Sequence, residues 1–167
     1  QIFLLSSPVK FKGSARLNYQ LAKKLKLPLK HIKDVKAALI ALQKADAVVD
    51  AIFGTGLDRE VGGMYRRIIE AVNRSGKTVF SVDIPSGING NNGHIMGVAV
   101  QADHTVTFGL PKIGNLLYPG YANAGRLSVT HISFPPALYE DEQLKIALNQ
   151  PAPIPPRPAD GHKGRFG

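Results

Sequence analysis

The chain has 167 residues, of which 44% are hydrophobic and 20% are charged, as expected for one globular domain with its own core. The absence of cysteine excludes disulfides and thiol catalysis, and no apolar run approaches the roughly 18 residues that a membrane-spanning helix needs. The net charge of +9 is concentrated in residues 1–36, which hold nine Lys or Arg and one acid. We interpret this basic segment as a solvated face near an anionic ligand, and expect neither a membrane nor a nucleic-acid partner.

Apolar runs and helical periodicities alternate along most of the chain. Strands are predicted at residues 2–5, 47–53, 78–82, 104–108 and 127–133. Amphipathic helices are predicted between the first three strands, on three apolar stripes: Leu17, Leu21 and Leu25; Val35, Leu39 and Leu42; and Tyr65, Ile68, Ile69 and Val72. This alternation is typical of βαβ units, so we predict an α/β fold with a mainly parallel sheet flanked by helices.

The composition changes after Phe134, because seven of the twelve prolines lie beyond it. We therefore predict a domain at residues 1–138, followed by a Pro-rich linker at residues 139–158. Residues 159–167 then open a further segment, and Gln1 is not an initiator residue. We expect the chain to be part of a longer protein.

The loop that follows the second predicted strand has the composition of a ligand-binding loop. Gly54 and Gly56 allow close approach of the backbone to a ligand, and Arg59 carries a guanidinium suited to phosphate. The alternative is a turn that uses glycine for its geometry alone. An ordinary NAD-dependent dehydrogenase is disfavoured, because the fingerprint G-x-G-x-x-G needs glycine where this chain has Arg59.

Carboxylates follow two neighbouring strands of the predicted sheet. Asp50 lies near the end of one strand, and Asp83 follows the next, three residues before Ser86. An all-oxygen environment of this kind suits hard cations, although either aspartate alternatively caps a loop by accepting backbone hydrogen bonds. The Gly- and Asn-rich residues 87–97 are predicted to form a flexible loop beside the site. Lys112 follows another predicted strand and is a candidate to face the crevice, although a lone lysine there is typical of solvated surface.

Four segments together resemble the NAD(P)HX epimerase (YjeF N-terminal) family in order and spacing. They are residues 50–57, 82–87, 102–109 and 111–114. The resemblance implies a Rossmann-like three-layer sandwich. Residues 157–167 resemble the opening of an NAD(P)HX dehydratase domain, which implies a bifunctional repair enzyme truncated here at both ends. The family's Asn-Asn-Gly-Gly-Asp-Gly loop is expected upstream of Gln1, since the Asn- and Gly-containing residues 89–93 lie after the Asp83 segment.

The resemblance also implies an activity and a site. The activity is epimerisation of R- and S-NAD(P)HX, the hydrates of NADH and NADPH, coupled to ADP- or ATP-dependent dehydration of the S form by the dehydratase domain. Asp50 and Ser86 would bind a potassium ion, and Asp83 would contact the substrate as general acid/base. The implied substrate-binding residues are Gly54, Thr55, Gly56, Leu57, Asp58, Arg59, Glu60 and Asp83. We further expect a cytoplasmic homo-oligomer.

A second hypothesis comes from another functional class. YjeF-type modules also occur as non-catalytic, RNA-associated scaffolds, and the basic residues 1–36 would suit such a role. The presence of Asp50, Asp83 and Ser86 argues against it, because a scaffold does not need these residues.

Overall fold

The computed structural model describes residues 1–144 and 146–148. Its helices and strands are, in chain order, β1 (Ile2–Leu4), α1 (Gly13–Lys24), β2 (Leu29–His31), α2 (Val35–Lys44), β3 (Ala47–Asp50), α3 (Gly63–Asn73), β4 (Thr78–Val82), β5 (His104–Phe108), α4 (Ile113–Leu116), α5 (Gly120–Ala124) and β6 (Arg126–Thr130). Among these residues no helix combines the length and the apolar character that crossing a membrane requires.

The chain divides into two compact units. The first is Gln1–Ile132 and contains every helix and strand named above, while the second begins at Ser133. The described part of the second unit holds a single 3-10 turn, Pro136–Tyr139. Most of the predicted linker at residues 139–158 and all of the segment 159–167 lie outside the described residues, so these boundaries stay predictions.

All strand pairs in the two sheets are parallel. The larger sheet has the order β3-β4-β5-β6, and β1 pairs with β2 in a separate two-stranded sheet. The predicted α/β class and parallel pairing are confirmed. The sequence pattern does not predict β2, because its three residues include the exposed polar Lys30 and His31 and show no alternation.

Three strands end earlier than predicted. β1 is shorter by one residue, since it ends at Leu4. β3 stops at Asp50 rather than at residue 53, because side chains capture the next backbone groups. The N–H of Ile52 donates to Asp50 Oδ1 at 3.3 Å and the N–H of Phe53 donates to Ser86 Oγ at 2.8 Å. β6 ends at Thr130, whose carbonyl accepts the last bond from Gly109 N–H at 2.8 Å.

One face of the larger sheet packs against α2 and α3. The main buried core on this side comprises Ile32, Ala38, Val61, Ile68, Ile69, Val72, Val79 and Val100. The apolar stripe predicted for α3 is confirmed, since Ile68, Ile69 and Val72 are all buried. On the opposite face of the sheet, Val49 and Phe80 are 69% and 37% exposed. The described helices α2 and α3 therefore form one layer against the sheet.

Polar residues replace apolar ones on the packed face toward the carboxyl ends of the strands. They are Asp50, Ser81, Thr105 and Thr107, none more than 2% exposed. Buried polar side chains of this kind need partners, so this end of the sheet must carry a hydrogen-bonded network.

Candidate active site at the carboxyl ends of the strands

Two clusters of polar side chains lie where β3, β4 and β5 end. The serine cluster consists of Asp50, Ser81 and Ser86, and the lysine cluster consists of Asp83, Thr107 and Lys112. Because the strands are parallel, their carboxyl ends meet at one edge of the sheet, where α/β proteins bind ligands. The sequence-predicted Asp50 and Ser86 are brought into direct contact, and Asp83 belongs to the other cluster.

The carboxylate of Asp50 is the acceptor at the centre of the serine cluster. Its Oδ2 accepts from Ser81 Oγ and from the Ser86 N–H, both at 2.8 Å. Its Oδ1 accepts from Ser86 Oγ at 2.6 Å and from Ile52 N–H at 3.3 Å. Asp50 therefore ties the end of β3 to β4 and to the loop after it.

Asp50 is a buried acidic side chain whose hydrogen-bond partners within the described residues are all neutral groups. It is 2% exposed, and no ion pair within residues 1–144 and 146–148 includes it. The carbonyl of Phe53 lies 3.2 Å from Ser86 Oγ, which adds a third kind of oxygen to the cluster. Buried carboxylates are usually paired or coordinate a metal, and a carboxylate, a hydroxyl and a carbonyl are hard oxygen donors. The chemistry of this donor set fits a potassium ion.

The lysine cluster is organised around Asp83 Oδ1. This oxygen accepts from Thr107 Oγ1 at 2.9 Å, from Phe108 N–H at 3.1 Å and from Lys112 Nζ at 2.5 Å. The side chains of Asp83 and Lys112 are each 23% exposed, so the pair is reachable from solvent. Among the described residues, Asp83 Oδ2 has no hydrogen-bond partner, which leaves it available to a ligand.

Opposing effects set the pKa of Asp83. Partial burial raises it, because burial removes water from the charged form. The hydrogen bond from Lys112 lowers it, as do those from Phe108 N–H and Thr107 and the charge of Lys112. Together these bring the pKa of Asp83 below its ordinary value of 3.8. Asp83 is therefore ionised at neutral pH and can accept a proton.

The backbone of Asp83 is held in an unusual conformation. Its φ of 70° lies in the left-handed region, which costs energy for residues other than glycine. The N–H of Asp83 donates to Val106 O at 2.8 Å, and its carbonyl accepts from Asn115 Nδ2 at 3.0 Å. Strain of this kind concentrates at functional sites, where the surrounding structure maintains it.

The predicted substrate-binding residues 54–60 form an exposed loop after β3. Only Leu57 is partly buried, where it packs against the main core. A methyl group built at Gly54 or at Gly56 would meet no atom within 4 Å, and neither glycine has a positive φ. The described chain therefore requires glycine at neither position for packing or for turn geometry.

The charged residues of this loop differ in their surroundings. Asp58 and Arg59 are exposed and form no ion pair within the described part of the chain. Glu60 lies against Gly97, where a Cβ would come within 2.6 Å of Oε2. α3 begins at Gly63, so two residues separate the loop from the helix.

Residues 87–97 are anchored, in contrast to the flexible loop that the sequence predicts. Ile88 is fully buried and bridges to Ile95, and Met96 N–H donates to Gly87 O at 2.8 Å. The N–H of Gly114 donates to Gly90 O at 2.8 Å, which fastens the segment to α4. Glycine and asparagine serve here to build tight packing and turns, so their abundance is not a sign of mobility.

The structure adds two residues to the site. Lys112, for which the sequence favoured a solvated position over one facing the crevice, pairs with Asp83. Asn115, which the sequence analysis did not single out, is fully buried and holds the Asp83 carbonyl. Asn115 Oδ1 is the one buried side-chain nitrogen or oxygen atom among the described residues without a hydrogen-bond partner. The signal for Lys112 was its position shortly after β5, which ends at the same edge of the sheet.

Comparisons with known proteins agree with this architecture. Residues 1–114 match the family described as YjeF-related protein N-terminus. The chain is 49% identical over 169 residues to the bifunctional NAD(P)H-hydrate repair enzyme Nnr of Thermofilum pendens, covering 100% of this chain and 32% of that protein. It is 37% identical over 146 residues to the NAD(P)H-hydrate epimerase of Levilactobacillus brevis, covering 87% of this chain and 63% of that protein. The chain spans about a third of the length of the relatives it matches first.

A solved structure supports the fold. The crystal structure of the yeast protein ynu0 is similar with a TM-score of 0.59 and 21% sequence identity, covering 77% of this chain and 51% of that chain. At this identity the similarity concerns the fold alone. The family match, by contrast, extends over more than half of the chain, so the chain belongs to the YjeF-related protein N-terminus family.

Proposed function

We propose that the chain epimerises R- and S-NAD(P)HX as the epimerase part of a nicotinamide nucleotide repair enzyme. The observation that carries the proposal is the state of Asp83: an ionised, partly exposed carboxylate with Oδ1 fixed by three donors and Oδ2 free. The names of the relatives from Thermofilum pendens and Levilactobacillus brevis support the same activity.

The chemistry requires a group that moves one proton reversibly. In NAD(P)HX the carbon to be inverted carries a hydroxyl and is bonded to the ring nitrogen. Asp83 Oδ2 accepts the hydroxyl proton, the carbon–nitrogen bond breaks with its electron pair moving to nitrogen, and the nitrogen takes the proton back. Rotation of the resulting aldehyde and reversal of these steps on its other face give the opposite epimer, with Asp83 regenerated.

The loop of residues 54–60 binds the phosphate-bearing part of the substrate in this proposal. Gly54 and Gly56 leave its backbone open to close approach, as the space around both residues supports. Arg59 supplies the guanidinium for phosphate, and it is exposed without an ion-pair partner in the described residues. Asp83 orients the reacting ring at the other end of the substrate.

A potassium ion at Asp50 and Ser86 is part of the proposal. The burial of Asp50, its lack of a cationic partner among the described residues, and the nearby oxygens of Ser86 and Phe53 support it. When bound, the ion would neutralise Asp50 and add positive potential beside the substrate's phosphates. Dehydration with ADP or ATP would belong to the dehydratase domain of the full-length protein, and a cytoplasmic location and self-association stay predictions.

Replacing Asp83 tests the function directly. Asp83→Asn in the full-length protein should abolish epimerisation, because the amide cannot accept the proton, while the affinity for NAD(P)HX changes little. The matched control is Asp34→Asn, which makes the same chemical change at the N-cap of α2, where asparagine caps as well as aspartate. Epimerisation at the normal rate in Asp83→Asn would refute the assignment.

A further inference from the structure

Lys112 donates all three protons of its ammonium group to neighbouring oxygen atoms of the protein. Nζ donates to Asp83 Oδ1, to Thr107 Oγ1 at 3.2 Å and to Phe108 O at 2.9 Å. An ammonium group has three donors, so none remains for a substrate. Whatever Lys112 contributes to the reaction must therefore act through Asp83.

The three bonds fix which carboxylate oxygen can react. Lys112, Thr107 and the Phe108 N–H all converge on Oδ1 of Asp83. Thr107 Oγ1 donates to this oxygen and accepts from Lys112, so the three side chains close a ring of hydrogen bonds. Rotation of the carboxylate would break this ring, and Oδ2 stays directed away from it.

Lys112 is itself positioned by the segment that starts α4. It is the N-cap residue of this short helix, and Asn115, one turn later, donates to the carbonyl of Asp83. The same segment thus holds both the side chain and the backbone of Asp83, whose φ is 70°. Gly114, between the two, lies so close to Asn89 O that a Cβ would come within 2.3 Å, which fixes the segment against residues 87–97.

We propose that Lys112 is a positioning residue for proton transfer: by occupying Oδ1 it fixes the orientation of the Asp83 carboxylate and presents Oδ2 as the single reactive oxygen. This inference rests on the proposed epimerase function. Under this proposal Lys112 does not contact the substrate. Replacing Lys112 should therefore change kcat and its pH dependence but not KM.

The expected pH dependence follows from the surroundings of Asp83. Lys112 is the charged side chain that contacts Asp83 within the described residues; the other partners, Thr107, the Phe108 N–H and Asn115, are neutral. Removing Lys112 takes away two effects that lower the pKa of Asp83 and leaves the burial that raises it. Activity that needs the anion is present above this pKa and lost as the pH falls through it, so the acid limb must move to higher pH.

Lys112→Met and Lys112→Arg in the full-length protein test the inference, with the exposed Lys36→Met on α2 as control. The carboxyl carbon of Asp83 is titrated by NMR without substrate, and kcat and KM are measured across pH. Lys112→Met should move both the titration and the acid limb upward and lower kcat on the order of 10²-fold, with KM little changed. Lys112→Arg should restore the titration and part of kcat.

Two results separate failure of this inference from failure of the function. If Asp83 titrates at its original pH in a folded Lys112→Met protein, the inference on Lys112 is wrong whatever the activity. If the titration moves as expected but the parent protein does not epimerise NAD(P)HX, the proposed function is wrong and the electrostatic role of Lys112 stands. Should Lys112→Met not fold, the Lys112→Arg titration decides, since it must remain near that of the parent.

Discussion

Asp83 and Asp50 are both aspartates at strand ends, yet their surroundings give them different chemistry. Asp50 is fully buried and accepts bonds on both oxygens, so it organises structure. Asp83 is partly exposed, paired with a lysine and keeps one oxygen free. At the residue scale, this contrast supports the proposal that Asp83, and not Asp50, carries the proton transfer.

Replacing a glycine of the loop at residues 54–60 tests, at the residue scale, whether this loop contacts the substrate. Gly56→Ala should leave stability unchanged or raise it by about 0.4–1 kcal/mol, because the new methyl group meets no neighbour and φ is not positive. The affinity for NAD(P)HX should fall, because the methyl group occupies the space of the ligand. Calorimetric titration and thermal unfolding measure the two effects.

Gly87→Ala is the opposite case and serves as the comparison. Its Cβ would come within 2.0 Å of Val98 O at a φ of +101°, so the fold itself should be destabilised. Unchanged affinity for NAD(P)HX in Gly56→Ala would remove the loop of residues 54–60 from the substrate site.

The proposed potassium site predicts an effect on thermal stability, which can be measured without an assay of epimerisation. The midpoint of thermal unfolding should be higher in KCl than in NaCl at equal ionic strength, since an ion bound to the folded state stabilises it. Ser86→Ala should lose this difference. Ser75→Ala, which removes a hydroxyl bonded to Val72 O at the end of α3, should retain it. Equal midpoints of the parent protein in both salts would contradict the site.

The residues of the site differ in how far sequence could predict them. Asp50 and Ser86 were predicted because strand ends of a parallel sheet converge, a rule that needs only the order of the strands. Asn115 was missed, and the pairing of Lys112 with Asp83 was not predicted, because both roles depend on a short turn folding back over Asp83. No periodicity encodes such a turn, and its tight packing on Asn89 and Gly90 appears only in three dimensions.

At the scale of elements, α4 links the anchored segment 87–97 to the site. Gly114→Ala should destabilise the protein by about 1–3 kcal/mol, because its Cβ would lie 2.3 Å from Asn89 O and the overpacked segment must shift. The shift should also move the titration of Asp83, since Lys112 and Asn115 flank this glycine. Chemical denaturation and NMR titration measure the two effects.

Gly62→Ala is the matched control for this element. Gly62 precedes α3, has open space around it and has no positive φ. Gly62 is the N-cap residue of α3, so alanine should lower the free energy of unfolding by no more than about 1 kcal/mol. The substitution should leave the titration of Asp83 unchanged. A folded Gly114→Ala protein with the stability of the parent would show that α4 tolerates displacement.

At the scale of the whole molecule, the basic segment of residues 1–36 distinguishes the epimerase from the scaffold hypothesis. Its phenylalanine and tyrosine rings are engaged with one another or with the core. Phe11 packs edge-on against Tyr19 with ring centroids 5.6 Å apart, and Phe3 packs on the main core. Single-stranded RNA binding usually requires free aromatic surfaces on which bases stack. The segment therefore offers charge without a stacking platform.

We expect only weak, salt-sensitive RNA binding by the chain. Fluorescence anisotropy with a labelled single-stranded RNA should give a Kd no tighter than about 10⁻⁶ M at physiological salt, as for non-specific contacts with phosphates. A protein in which Lys23 and Lys24 of α1 are replaced by Gln controls for the charge. Submicromolar binding at physiological salt would favour the scaffold hypothesis.

The turn that follows β4 carries a member of each cluster: Asp83 faces the end of β5, and three residues later Ser86 faces the end of β3. Pro85 lies between them in a buried position. If a ligand at Ser86 changes the affinity of a ligand at Asp83, thermodynamic linkage requires the reverse effect by the same factor. A cation bound at Ser86 and a dinucleotide bound at Asp83 would then each change the affinity of the other through the backbone of residues 83–86.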